Sequence, residues 1–170
     1  MRYTFLILCF LMVTCKKSNV RKYDPNHFND YELNFSDDNF EYNLKSGKFN
    51  TLFSDFADTI ILSRKETNTI SKLFFEKYID TLGGERYISD SKIITMPDFH
   101  EIVVVKKHNK QKLHTSISYL VNEESKLSAS DKDIFNFKVE LLKILYKNTE
   151  FKKCIDTVKA TKHKDNRIFL

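Results

Sequence analysis

The stretch EIVVVKKHNKQKLHTSISY, residues 101–119, decides the fold class. Glu101 to Lys107 and Lys112 to Tyr119 read as two strands, joined around His108-Asn109-Lys110-Gln111 as an antiparallel hairpin. With Asn109-Lys110 as the turn, Ile102 and Val104 are expected beside Ile117 and Thr115 on one face. In that register His100 shares the Ile102 face, while His114 falls opposite Val105 on the other.

Upstream, Tyr31, Leu33 and Phe35 alternate with polar residues, as do Phe40, Tyr42 and Leu44. Ser46-Gly47 is expected as a two-residue hairpin turn, with Phe49 to Phe53 as the returning strand and Asp58 to Leu62 as another. Ser63-Arg64-Lys65-Glu66 has the form of a capping box. The helix after it carries an apolar stripe of Ile70, Leu73, Phe74 and Tyr78, and Gly83-Gly84 is expected to end it. Lys92 to Met96 is a further candidate strand, stopped by Pro97.

Downstream, a helix is expected from Ser130 with Asp133 as box partner. Its stripe is Ile134, Phe137, Leu141, Leu142 and Leu145. A shorter helix from Asn148 or Thr149 carries Phe151, Cys154, Ile155 and Val158, and the tail Arg167 to Leu170 adds a strand or docks. Strands, a helix, a hairpin and more helices predict an α+β fold: an antiparallel sheet of about five or six strands covered by two or three helices. Phe74, Ile102, Ile117, Leu141 and Leu145 are the expected core.

The 170 residues, 14% aromatic with only 3 Gly and 2 Pro, suit one packed domain and exclude a disordered or collagen-like chain. The formal charge of +5 raises a nucleic-acid reading, but 23 of the 28 basic residues are Lys. Base and phosphate recognition favours the bidentate guanidinium, so no nucleic-acid partner is expected. Charge is uneven along the chain: residues 23–58 carry eight acids, and residues 138–167 carry nine bases against four acids. Two solvated faces of one fold account for this.

The N-terminus has its own signature. A single positive charge at Arg2 precedes the nearly all-apolar run Phe5 to Val13, about the length of a secretory h-region and too short to span a bilayer. Cys15-Lys16-Lys17-Ser18 then turns abruptly polar, with no Ala-x-Ala cleavage pattern before it. Met12-Val13-Thr14-Cys15 resembles the lipobox of bacterial lipoproteins. Met12 and Thr14 depart from the strict pattern, as Bacteroidetes-type lipoproteins tolerate. The resemblance implies that Cys15 receives a diacylglyceryl group, that the chain is cut before it, and that the new amine is acylated. Two or three acyl chains at about 0.8 kcal/mol per buried methylene make a stable anchor. The layout of residues 38–160 also resembles small uncharacterised envelope lipoproteins of the same bacteria. The resulting organisation is residues 1–14 as lipoprotein signal peptide, 15–29 as lipidated Cys15 and polar tether, and 30–170 as a single α+β domain. The acidic run of surface-export signals is missing, which favours the periplasmic face of the outer membrane.

No constellation for catalysis is evident. His27, His100, His108, His114 and His163 show no His-x-x-x-His spacing, and His100 and His114 on opposite faces do not chelate, so neither metal nor cofactor is expected. Gly83-Gly84 is not followed by Lys-Ser/Thr, and no Gly-x-Ser-x-Gly elbow occurs. Asp37-Asp38 and Glu123-Glu124 are sequence neighbours beside turns, where solvated charge is the default. With Cys9 in the signal peptide and Cys15 carrying lipid, Cys154 has no partner for a disulfide and is expected as a small buried apolar residue. The expectation is a lipid-anchored, non-enzymatic binding or structural module with a possible envelope protein partner. The alternatives are an immunity-type inhibitor of a toxin, contacting it through the acidic segment 24–58, or an enzyme of unrecognised type.

Overall fold

The computed structural model describes residues 25–89, 100–123 and 125–164. After a 3-10 turn at Pro25–Asp30, the strands are β1 (Tyr31–Ser36), β2 (Phe40–Asn43), β3 (Lys48–Thr51), β4 (Ala57–Thr59), β5 (Gly84–Ile88), β6 (His100–Lys107) and β7 (Lys110–Ser118). The helices are α1 (Arg64–Glu76), α2 (Ala129–Leu145) and α3 (Thr149–Lys164). All seven strands form one sheet in the order β4-β3-β2-β1-β6-β7-β5.

The class is α+β, but the sheet is mixed, not antiparallel throughout: β5 pairs with β7 in parallel, Gly84 opposite Leu113 and Ile88 opposite Ile117. The reason lies in the neighbours of β6. Both its edges are occupied, by β1 and β7. A strand arriving before it therefore adds to the outer edge of β7.

Alternation puts one face of the inner strands inward, while the edge strand β4 is exposed throughout. Phe49, Tyr42, Phe35, Val103 and Thr115 form one cross-strand row, all buried. The helices cover this face. Tyr31 meets Phe74 of α1 at 5.0 Å, Phe74 meets Phe137 of α2 at 6.0 Å, and Phe151 of α3 sets its edge against Phe40, Tyr42 and Phe49. Edge-to-face pairs of this kind add about 0.5–1.5 kcal/mol each beyond burial. On the opposite face, Asn43 donates to Glu32 at 2.8 Å and to Asn34 at 2.7 Å, and Asn34 donates to Glu41. That polar ladder suits a half-exposed sheet surface.

The β6–β7 hairpin differs from expectation by one register. Its turn is His108-Asn109, both with positive φ (49° and 63°), the geometry of a tight type I′ hairpin, and a bulge follows at Lys112. Val103 and Val105 therefore face the core, and Ile102 lies half-buried on the outer face, not in the core as expected. Phe74, Ile117, Leu141 and Leu145 are buried.

The capping box forms as read: Ser63 accepts from the Glu66 amide, and the Glu66 carboxylate accepts from the Ser63 amide at 2.7 Å. Helix α1 stops earlier than Gly83-Gly84, because Tyr78 adopts a left-handed conformation (φ 54°) and stands exposed; Gly84 instead opens β5. Helix α2 is capped by Ser128, not Ser130, with Asp131 donating its amide. Phe151, Cys154, Ile155 and Val158 are all buried on α3, which at 16 residues is nearly as long as α2. The β2–β3 connection is longer than two residues, running from Leu44 to Gly47, where Gly47 has φ 73°. A Cβ there would sit 2.6 Å from the Ile60 carbonyl oxygen, so glycine is required. The candidate strand 92–96 and the tail 167–170 lie outside the described residues.

Candidate functional site

Cys15 and the lipobox lie outside the described residues, and so does any geometry for the anchor. The described part begins at Pro25, with Phe28 already packed on Phe74 at 5.4 Å, so the polar segment expected to run to Asn29 meets the domain from its last residues. Where the chain arrives, three elements converge on a cavity of about 330 Å³: Phe28 and Asn29, the β2–β3 turn, and the linker from β4 to α1. Tyr31, Leu44, Ile60 and Leu62 give it apolar walls. Lys45 crosses the mouth, its Nζ donating to the Asn29 carbonyl at 3.0 Å. The Gly47 carbonyl accepts from the Ile60 amide at 2.8 Å, and the buried Tyr42 hydroxyl donates to the Ile60 carbonyl at 3.0 Å. Burial, followed by repulsion from Glu66 and Cys154, raises the Tyr42 hydroxyl above its ordinary range, so it stays a donor. Thus the Ile60 backbone is held from both sides. The next residue, Ile61, is 83% exposed at the rim.

A second constellation sits elsewhere on the sheet. Glu101, on the helix-facing side of β6 opposite Ile117, pairs with Lys138 of α2 at 2.5 Å, with side-chain exposures of only 15% and 9%. The Lys138 ammonium also lies 4.7 Å from the Phe135 ring centroid. Tyr119 and Tyr146 stand near, and their hydroxyls are raised by burial first and then by negative charge, Asp37 and Glu101 acting on both. Asp37 is itself raised, because burial outweighs the amides of Asn39 and Phe40 that donate to it at 2.7 and 3.0 Å. Phe40, Tyr146 and Ile155 line a 200 Å³ pocket beside it, rimmed by Lys159 and Lys162. At neutral pH these tyrosines are neutral donors, and Asp37 is a capping group for the β1–β2 loop. The arrangement fixes α2 and α3 over the end of the sheet.

The pair Glu101–Lys138 went unrecognised in the sequence. A Lys within an apolar stripe and a Glu at the start of an apolar strand were its only signal. His100 and His114 in fact share the outer face, contrary to the expected register, since His114 lies opposite Val104. Four strand residues still separate them, about 13 Å of rise. His100 instead meets Tyr87 edge-on at 5.4 Å. Among the described residues no group of three His, Cys, Asp or Glu side chains converges as a metal site.

Cys154 is 2% exposed with its Sγ 3.6 Å from an Asp58 oxygen, and burial followed by that carboxylate pushes the thiol up to about 11. A raised thiol is a poor nucleophile. Of the acids in residues 24–58, Asp37 caps a loop, Glu32 and Glu41 belong to the outer ladder and Asp58 meets Cys154, while Asp24 lies outside the described residues. Compared with known proteins, the chain matches no family model, no curated protein and no solved structure.

Proposed function

We propose that this chain is a lipid-anchored envelope protein that acts by binding, held at the periplasmic face of the outer membrane through Cys15. The observation that carries the reading is the short apolar run ending in Met12-Val13-Thr14-Cys15 and its abrupt polar switch. The fold supports it in two ways. A single apolar core links the sheet to all three helices, so the domain's stability does not depend on the anchor. Only nine residues, Lys16 to Asp24, separate Cys15 from the first described turn. Such a short tether confines the domain near the bilayer and raises its effective concentration for membrane-bound partners, so each contact can be weak. The Lys16-Lys17 pair adds a small attraction to anionic headgroups.

Cys15→Ser tests the anchor. The wild-type chain should partition into detergent and carry a diacylglyceryl adduct on Cys15 by mass spectrometry, and the variant should stay unprocessed or become soluble. An unmodified Cys15 in the mature protein rejects the reading. Turnover of a substrate by the purified protein, lost on a single side-chain change, rejects action by binding alone.

A further inference from the structure

We propose that the face around Ile61 is a membrane-seating surface that lies on anionic lipid headgroups. The proposal rests on the anchor reading and adds an orientation to it. Ile61 is the most exposed of the large apolar residues among those described, at 83%, and it adjoins the apolar-walled cavity where the chain reaches the domain. Its backbone is not free to turn inward, since the preceding Ile60 is buried and bonded through both amide and carbonyl.

Cations surround it. Lys45 crosses the cavity mouth, Lys48 stands opposite Thr59 on the next strand, and Arg64 and Lys65 open α1 just beyond; all four are exposed. The acids nearby are Asp30, Asp58 and Glu66. Asp58 accepts from the Thr59 amide and the Cys154 thiol, and Glu66 closes the capping box and accepts from Asn148. Both keep their charge while their carboxylates are held toward the domain, and four cations stand against three carboxylates. An apolar residue ringed by basic ones is the pattern of a surface that enters the headgroup layer. The tether argues for the occupant: the ten Cα steps from Cys15 to Pro25 span at most about 36 Å, and the described chain that follows reaches this cavity at Phe28 and Asn29. Another exposed apolar group, Tyr119, Leu120 and Tyr146, stands near Asp37, just past the end of β1 opposite to the one where the chain enters, so the tether does not lead to it.

The test uses the lipidated full chain, purified in detergent and reconstituted into vesicles of phosphatidylcholine alone or mixed with phosphatidylglycerol. A fluorophore is placed at Ile61→Cys or, as reference, at Lys132→Cys beside Asp131, whose partner Arg86 lies on the far-edge strand β5. Buried Cys154 does not compete for label. Nitroxide lipids spin-labelled at headgroup depth should quench the label at position 61 several-fold more than that at 132, and more strongly with phosphatidylglycerol. Each basic residue lost near an anionic surface weakens attraction about fivefold, and reversal to Glu weakens it further. Lys45→Glu with Arg64→Glu should therefore bring quenching at 61 down to the level at 132, with the circular dichroism spectrum unchanged. Equal quenching at both positions overturns the proposal, as does a label at 61 shielded from water but untouched by lipid quenchers, the sign of a second copy or another protein. The mass of Cys15 in the same preparation reads the anchor separately: a bare Cys15 defeats lipidation, and because that thiol would also take label, the face is then read with Cys9 and Cys15 both changed to Ser.

Discussion

Removing one member of the Glu101–Lys138 pair should destabilise the domain far more than removing both. The side chains are 15% and 9% exposed, so solvent screens neither charge well. Deleting one partner of a buried pair costs about 3–5 kcal/mol, because the other charge stays buried without compensation. Lys138→Met keeps the volume of the stem and its contact with Phe135, and loses a cation–π contribution of about 0.5–1 kcal/mol. It leaves Glu101 in a region where Asp37 already acts on the same two tyrosines, so this single change should be the costlier. Glu101→Leu leaves an ammonium on a long, flexible stem that can reach toward water. The double variant places Leu beside Ile117 under a Met from α2 and should cost less than either single change, which requires a coupling above about 3 kcal/mol. Urea unfolding of the four proteins, followed by circular dichroism, gives the cycle directly. Single variants within about 0.5 kcal/mol of wild type, or losses that simply add, would show that the pair is solvated and that the packing of α2 on β6 has been misjudged.

Three further outcomes are expected. Gly47→Ala should cost about 1–3 kcal/mol, since it combines a positive φ with a Cβ 2.6 Å from the Ile60 oxygen; wild-type stability would refute the close approach. The Cys154 thiol stands near 11 against an ordinary 9.0, so the folded state holds this proton more tightly than the unfolded chain. Its contribution to stability is present below pH 9 and lost as pH rises through 9 to 11, and Cys154→Ala should flatten that part of a urea-midpoint profile. Leu141→Ala and Leu145→Ala should each cost about 2–5 kcal/mol from fully buried positions, and losses under about 0.5 kcal/mol at both would mean the α2 face is misassigned.

Much of the architecture was legible because several signals are local. Period-two alternation at Tyr31, Leu33 and Phe35, the Ser63–Glu66 box and the 3.6-residue stripe of α3 each specify structure within one element, and each appears as read. The failures are positions where two local readings were nearly equal. Ile102 to Val105 is a continuous apolar run, so periodicity does not say which parity faces the core. The turn decides it, and His108-Asn109 with the Lys112 bulge shifts the answer by one residue. A one-residue slip exchanges the two faces, which moved Ile102 outward and brought His100 and His114 onto one side. Gly83-Gly84 misled for a similar reason. A glycine pair after a helix suits a cap as well as a strand start, and the real stop is Tyr78, a residue type that seldom adopts positive φ.

The candidate sites divide along the same line. The proposed lipidation at Cys15 rests on a linear signal, the apolar run ending in Met12-Val13-Thr14-Cys15, which is read without any fold. The Ile61 face and the Glu101–Lys138 pair are not linear. One joins residues 28 to 65 through three loops, and the other joins positions 37 residues apart through sheet register. Burying an unpaired Glu101 would be costly, so its place on the core face demands a cation from the helix above, and Lys138 is the residue that α2 presents. The same logic separates the two exposed apolar groups. Tyr119 and Tyr146 stand near Asp37 beyond the far end of β1, whereas Ile61 lies among cations at the end where the chain arrives. The chain enters the domain at this side, by Phe28 and Asn29, which is why the proposed anchor and the Ile61 face point to the same surface.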